Sequence, residues 1–269
     1  MLAIGVGPFA VPTQAVVLLI CGLVAAGVGH LAGRRRKAGI GGTLFDMLLA
    51  AGLAARIAFI ALWFDHYRIQ PWSMLDLRDG GFTPWAGAIA AALVALWQGW
   101  RRAVLRKPLA LGLAAGAVVW VAAFGVLRFG AEPSLASLEA IRLATPQGSL
   151  VSLTALADGK PMVVNLWASW CPPCRHEMPV LAAAQKQLQG VVFVFANQGE
   201  DVATIERYLD ADKLTIGNVL LDPGGALARE FGSVALPTTL FFASSGRLAD
   251  THLGALSSAS LASKLAQLQ

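Results

Sequence analysis

Cysteine is scarce in this chain: 269 residues include three, Cys21, Cys171 and Cys174, too few for a disulfide-rich scaffold. Charge is scarce too, with 14% Asp, Glu, Lys and Arg against 56% hydrophobic residues. That balance lies outside an ordinary soluble domain and puts membrane spans ahead of any globular fold. Neither a second CxxC nor an HxxxH accompanies the cysteine pair, so a four-ligand zinc site lacks half its donors, and no metal is expected. Lys and Arg are missing before the first apolar run, while Arg34-Arg35-Arg36-Lys37 follows it, the reverse of the charge order in a cleaved signal peptide. The chain shows no internal repeat or low-complexity segment. The net charge of +5 is itself local. Two clusters, residues 34–37 and Arg101, Arg102, Arg106 and Lys107, hold eight positive charges, and the remainder is net negative. Two basic loops beside apolar runs mark membrane topology rather than nucleic-acid binding.

What is present divides near Gly130. Residues 1–130 read as an all-α membrane bundle of four transmembrane helices, with spans at about 12–33, 42–64, 82–100 and 108–129, each near the ~20 residues a bilayer needs. Trp63, Trp72, Trp85, Trp97 and Trp100 fall near span ends, as interfacial anchors do. Both basic clusters then face the cytoplasm. The loop from Asp65 to Gly81 has three Asp against two Arg and suits the outside, as do the N-terminus and everything after the fourth span. Arg56 falls mid-span, where a charge needs a partner or hydration. Asp46 is ~15 Å away along one helix, so lipid, a polar pocket and snorkelling stay open. Cys21 stands alone in its span, so the chain cannot pass electrons across the membrane through a pair of membrane cysteines; it reads as a small packing residue.

Residues 131–137 read as a tether and 138–269 as an α/β domain. VVNLWAS, VVFVFA, NVLLD, TTLFFA and LADTHL are strand candidates bounded by turn residues. Helical patterns at His176–Leu188, Val202–Leu209, Ala226–Phe231 and Ser257–Leu268 alternate with them, predicting a mixed sheet covered by helices on both faces.

The chemistry concentrates in WASWCPPCRHEMP, Trp167 to Pro179. Cys171 follows a strand and opens a helix, where free N–H groups and the helix dipole favour thiolate. Such a thiolate can attack a partner's disulfide, and Cys174, one turn on, can then attack Cys171 and release the reduced partner. Pro172 and Pro173 suit a first turn that needs no N–H. A structural disulfide closing so short a loop would constrain little.

Residues from about 138 to 269 resemble the thioredoxin-like family, in its extracytoplasmic TlpA/ResA/CcmG-type branch. Trp167 lies four residues before Cys171, Pro179 eight after it, Leu236-Pro237 sits in SVALPTTLFF, and HLGALS matches a closing strand-to-helix turn. The resemblance implies a membrane-anchored thiol:disulfide oxidoreductase with Cys171 as nucleophile and Cys174 as resolving thiol. Trp170, Pro172, Pro173, Leu236 and Pro237 would contact substrate. From the residues alone Pro237 is either cis or trans; the resemblance implies cis. Asn165 stands where cytoplasmic thioredoxins carry a buried acid, and Glu177 matches a glutamate of the ResA-like branch that would assist proton transfer. Arg175, His176 and the acids of the 200–212 region read as exposed. No dissociable cofactor is implied. Implied partners are periplasmic protein disulfides, such as those of apocytochrome c, copper-assembly proteins or disulfide isomerases. Electrons would come from a DsbD- or CcdA-like donor, and the implied location is a bacterial inner membrane.

A more distant resemblance links AARIAFI and YRIQPWSMLDLRDGGFTPWAG to prolipoprotein diacylglyceryl transferase. Thr83-Pro84-Trp85-Ala86-Gly87 stands where that family has Phe-His-Gly-Gly, and four spans leave no room for its later motifs. A disulfide-donating oxidase, a binding module with incidental cysteines and a lipid-handling membrane protein are the rival readings.

Overall fold

The computed structural model describes residues 3–6, 9–34, 39–68, 71–129 and 141–268, so the expected tether at 131–137 and Arg35–Lys37 lie outside the described residues. The chain divides into two compact units, one of Thr13–Phe64 with Gly81–Ala131, the other of Met1–Pro12, Asp65–Gly80 and Glu132–Gln269.

The first unit holds four long helices: α1 (Thr13–Gly33), α2 (Gly41–Leu62), α4 (Pro84–Arg101) and α5 (Arg106–Phe129). Among the described residues three segments, Thr13–Gly33, Gly41–Leu62 and Ala103–Gly125, are long and apolar enough to cross a membrane. The third expected span is helical, but Gln98, Arg101 and three tryptophans dilute the apolar run of α4. Leu18, Leu19, Leu23, Leu48, Leu53 and Ile57 project outward, a surface suited to hydrocarbon rather than water. Helix α1 packs on α5 and α2 on α4, and glycine permits both approaches. A Cβ on Gly112 would lie 2.6 Å from the Ala25 carbonyl oxygen, and one on Gly87 2.9 Å from that of Ala51. Backbone cannot yield as a side chain can, so this is small-residue packing of the kind membrane helices use. Replacing Gly112 with Ile should force α1 and α5 apart, costing about 1–3 kcal/mol. The check is a lower thermal midpoint of the detergent-solubilised protein, and an unchanged midpoint would refute this packing.

Arg56 finds its partner inside the protein. It is buried, donates Nη1–H to the Gly81 carbonyl at 2.8 Å and lies 5.8 Å from the centroid of the Phe82 ring. The guanidinium thus satisfies a carbonyl just before α4, where no helical donor reaches. Asp46 is engaged elsewhere, accepting from Gln98 Nε2 at 2.6 Å, while Thr43 donates to Gln98 Oε1 at 2.9 Å. Thr43, Asp46 and Gln98 therefore bond to one another within the α2–α4 pair.

In the second unit, a hairpin of β1 (Ala3–Val6) and β2 (Phe9–Pro12), not anticipated from sequence, precedes the helices. A short helix, α3 (Phe64–Tyr67), and 3-10 turns at Pro71–Leu75 and Leu77–Asp79 occupy the loop expected outside the membrane. The main body is a seven-stranded mixed sheet in the order β4-β3-β7-β6-β5-β8-β9. Its strands are β3 (Arg142–Ala144), β4 (Leu150–Ser152), β5 (Met162–Trp167), β6 (Val192–Asn197), β7 (Val219–Leu221), β8 (Thr238–Phe242) and β9 (Leu248–Leu253). Strands β5, β6 and β7 run parallel, and β8 is antiparallel to β5. Helices α6 (Leu153–Ala157), α7 (Pro172–Gln187), α8 (Val202–Ala211), α9 (Ala226–Glu230) and α10 (Ser258–Leu265) connect or cover them. All six residues of β5 are buried, as a central strand covered on both faces requires. The two-residue period sends Val163 and Trp167 to one core with Cys171, Cys174 and Met178, and Met162, Val164 and Leu166 to the other.

Candidate active site

Cys171 is where β5's connection becomes α7. Its backbone is extended (φ −90°, ψ 108°), and its Sγ accepts the Cys174 N–H at 3.3 Å as the helix N-cap. Pro172 and Pro173 fill the first turn, where a missing N–H costs nothing. Cys171 and Cys174 form a disulfide with Cα atoms 5.2 Å apart. Both sulfur-bearing residues are buried, but Trp170, Pro172 and Pro173 beside them are exposed, Trp170 by 67%. An exposed indole next to a reactive sulfur offers apolar area for another protein at low entropic cost. The Leu236–Pro237 peptide bond is cis. Leu236 is half-buried and packs against both cores; Pro237 is buried, and its carbonyl accepts the Gly254 N–H at 2.9 Å.

Glu177 lies one turn beyond Cys174 on the inward face of α7, since residues three apart share a face. It is 0% exposed, which excludes a solvated helix-face acid. Asn165 of β5 donates Nδ2–H to its Oε1 at 2.7 Å, and the Leu256 N–H donates to Oε2 at 2.9 Å. Burial pushes the carboxyl up to about 8, against the two hydrogen bonds that favour its charged form. Asn165 also donates to Thr239 Oγ1 at 3.0 Å, and its Oδ1 has no partner. A half-turn of that amide would present the free oxygen to a carboxyl O–H, so the network fits both protonation states. The buried carboxyl beneath the cysteines therefore comes from α7, held by Asn165 of β5.

Sequence reasoning missed a second carboxylate. Glu200, expected on a solvated face, accepts from the Ser169 N–H at 2.7 Å, from Ser169 Oγ and from Asn197 Nδ2 at 2.7 Å. It braces the segment leading into Cys171 from the end of β6. The only sequence signal is a Glu shortly after a strand end, common on any surface. Two other acids of that region have local duties: Asp201 caps α8 through the Thr204 N–H, and Asp212 pairs with Arg175 at 3.3 Å. Arg175, though exposed, also lies over the Tyr208 ring at 5.2 Å, and Tyr208 meets Trp167 at 5.5 Å. His176 is exposed.

A cysteine pair thus spans a helix start at the end of a central parallel strand, and the cis-proline segment leads into the neighbouring strand β8. Residues 133–266 match the Redoxin family model. That match takes in just under half of the chain and makes the domain similar to that family. Its relatives include the thiol-disulfide oxidoreductase ResA of Halalkalibacterium halodurans, 30% identical over 112 residues covering 41% of this chain and 62% of that protein. The thiol:disulfide interchange protein DsbE of Pseudomonas fluorescens biotype C is 32% identical over 117 residues, covering 44% and 65%. Among solved structures, a thioredoxin-family thiol:disulfide interchange protein from Chlorobium tepidum TLS aligns with a TM-score of 0.42 and 27% identity, over 48% of this chain and 92% of that one. The chain thus spans less than two-thirds of that ResA and of that DsbE, 62% and 65% of their lengths.

Proposed function

We propose that this protein is a membrane-anchored periplasmic thiol:disulfide oxidoreductase that reduces disulfides of partner proteins through Cys171 and Cys174. The observation that carries this reading is the N-capping Cys171 sulfur, bonded to Cys174 with the buried Glu177 carboxyl one turn behind. In the reduced protein the Cys171 thiolate attacks the partner's disulfide, forming a mixed disulfide and expelling one partner thiolate. Cys174 then loses its proton and attacks Cys171 Sγ, leaving the partner as a dithiol and this protein as the disulfide. Glu177, with a carboxyl near 8 beside a thiol of ordinary value near 8.5, is matched to take that proton. Exposed Trp170, Pro172 and Pro173 form the partner-facing rim, with half-buried Leu236 and buried Pro237 as the substrate-binding segment behind it. No dissociable cofactor takes part in this scheme.

The location rests on charge and connectivity. The segment 65–80 hydrogen-bonds to the thioredoxin-like domain through Ser257, Ser258 and Ser260, so both belong on one side of a membrane. Between residue 80 and the domain the chain must therefore cross an even number of times. If α5 crosses, α4 crosses too, which supports four spans despite the modest hydropathy of α4. The basic clusters then lie opposite, in the cytoplasm. Apocytochrome c, copper-assembly proteins and disulfide isomerases fit as substrates, and a DsbD- or CcdA-like reductase as electron donor, with lipids around the bundle. Lipid transfer forms no part of this reading.

Thiol trapping in intact cells with a membrane-impermeant maleimide tests it, with Cys171→Ser and Cys174→Ser as controls. Labelling of both cysteines at steady state is expected for an external reductase. Labelling only after a permeant reductant would favour the disulfide-donating oxidase. Labelling only after permeabilisation would put the domain in the cytoplasm and refute the topology.

A further inference from the structure

Asp79 comes from the segment between the second and third long helices, yet it is only 4% exposed. That segment belongs to the same compact unit as the thioredoxin-like domain. Two hydroxyls converge on one carboxylate oxygen, Tyr67 Oη at 3.0 Å and Ser257 Oγ at 2.9 Å. Ser260 Oγ donates to the Asp79 carbonyl at 2.7 Å, and Ser258 Oγ to the His66 carbonyl at 3.3 Å. Ser257 is also the N-cap of α10, accepting the Ser260 N–H at 3.1 Å. One residue earlier, Leu256 donates its N–H to Glu177, and Gly254, at φ +101°, donates to the Pro237 carbonyl. A single turn therefore touches Asp79 on one side and the exchange site on the other.

We propose that Asp79 is a positioning residue for the exchange site, fixing the 254–257 turn through Ser257 so that the Leu256 N–H stays on the Glu177 carboxyl. The loop joining two apolar helices would then help set the proton affinity of the acid beside the cysteines. The consequence for catalysis rests on the proposed thiol exchange; the positioning itself does not.

The sign of one measurement separates this from a bare charge effect. Removing a nearby negative charge would lower the proton affinity of Glu177, whereas losing a hydrogen bond to its charged form would raise it. Other ionisable groups around the turn are Tyr67, His252 and Asp250 of β9, and Lys264 of α10, which pairs with Asp250 at 2.6 Å. His252 is buried beside Lys264 and lowered to about 4, so it does not titrate near Glu177. Loss of a charge-assisted hydrogen bond corresponds to an upward shift of about one pH unit.

The experiment is a pH titration of the carboxylic C=O infrared band in the full-length oxidised protein, assigned by its absence in Glu177→Gln. Asp79→Ala should raise the midpoint by about one unit. Asp79→Asn should not raise it, because one amide oxygen can still accept from both Ser257 and Tyr67 and the lost charge acts only downward. A midpoint that stays or falls in Asp79→Ala overturns the proposal. If Asp79→Ala does not fold, Ser257→Ala decides on the same terms. A parent that titrates as described but exchanges no disulfides would sink the functional reading alone; an active parent whose variants titrate unchanged would sink this inference alone.

Discussion

Cys174→Ser should lose turnover and accumulate a covalent complex with its partners through Cys171. Cys171, 3% exposed, caps the helix beside exposed Trp170, whereas Cys174 is 0% exposed behind it. An incoming partner disulfide therefore meets Cys171, and only an internal group reaches the mixed disulfide afterwards. Intramolecular nucleophiles held in reacting geometry have effective molarities of roughly 10⁵ M or more, while external thiols in solution are millimolar at most. Removing Cys174 should prolong the mixed disulfide by at least about 10³-fold. Non-reducing gels with and without dithiothreitol read this directly. Cys171→Ser should trap nothing, because the remaining thiol is enclosed. Equal trapping by the two variants would mean that the assignment of attacking and resolving sulfurs is wrong.

How much of this could be read in the residues differs from element to element. The five strand candidates all occur, because Val-, Phe- and Leu-rich runs bounded by turns identify buried strands. Two three-residue strands, 142–144 and 150–152, escaped, being too short to show a period and held mainly by antiparallel pairing with each other. The long helices begin and end within about two residues of the expected spans, since a bilayer-length apolar run and its charged flanks mark both ends. The cysteine pair and Pro237 were legible from spacing plus family likeness. Glu200 and Asp79 were not. Each acts on residues 31 or 178 positions away, and a single acid in a polar stretch leaves no periodic trace of a distant partner. Arg56 lies between these cases: its mid-span position demanded a partner, but only the fold could identify the Gly81 carbonyl as that partner.

Glu177→Gln should change both the pH dependence of stability and the rate of exchange. In the folded, oxidised protein the carboxyl binds its proton up to about 8, against an ordinary value of 4.5. Between those values the folded state holds more protons than the unfolded one, so stability falls as pH rises and levels off above about 8. His252 acts in the opposite sense. Held neutral down to about 4 from an ordinary 6.5, it makes the fold more stable as pH rises through that lower window. From about pH 6.5 to 8 Glu177 therefore acts without that offset. There the parental full-length protein should lose on the order of 1–2 kcal/mol of stability, and Glu177→Gln should lose none of that increment. Glutamine suits the site, because the unpartnered Asn165 Oδ1 can accept from its amide. Exchange should meanwhile slow by roughly 10²-fold, the usual worth of a positioned general base, and lose its limb near pH 8. Denaturant titrations of the oxidised protein at pH 6.5, 7.25 and 8, paired with exchange rates across the same range, test both halves. A variant with the parental stability slope would mean that Glu177 is already ionised in the fold. A variant with the slope removed and the exchange rate intact would leave Glu177 a buried acid without a part in the chemistry, and Cys174 would have to give its proton to solvent.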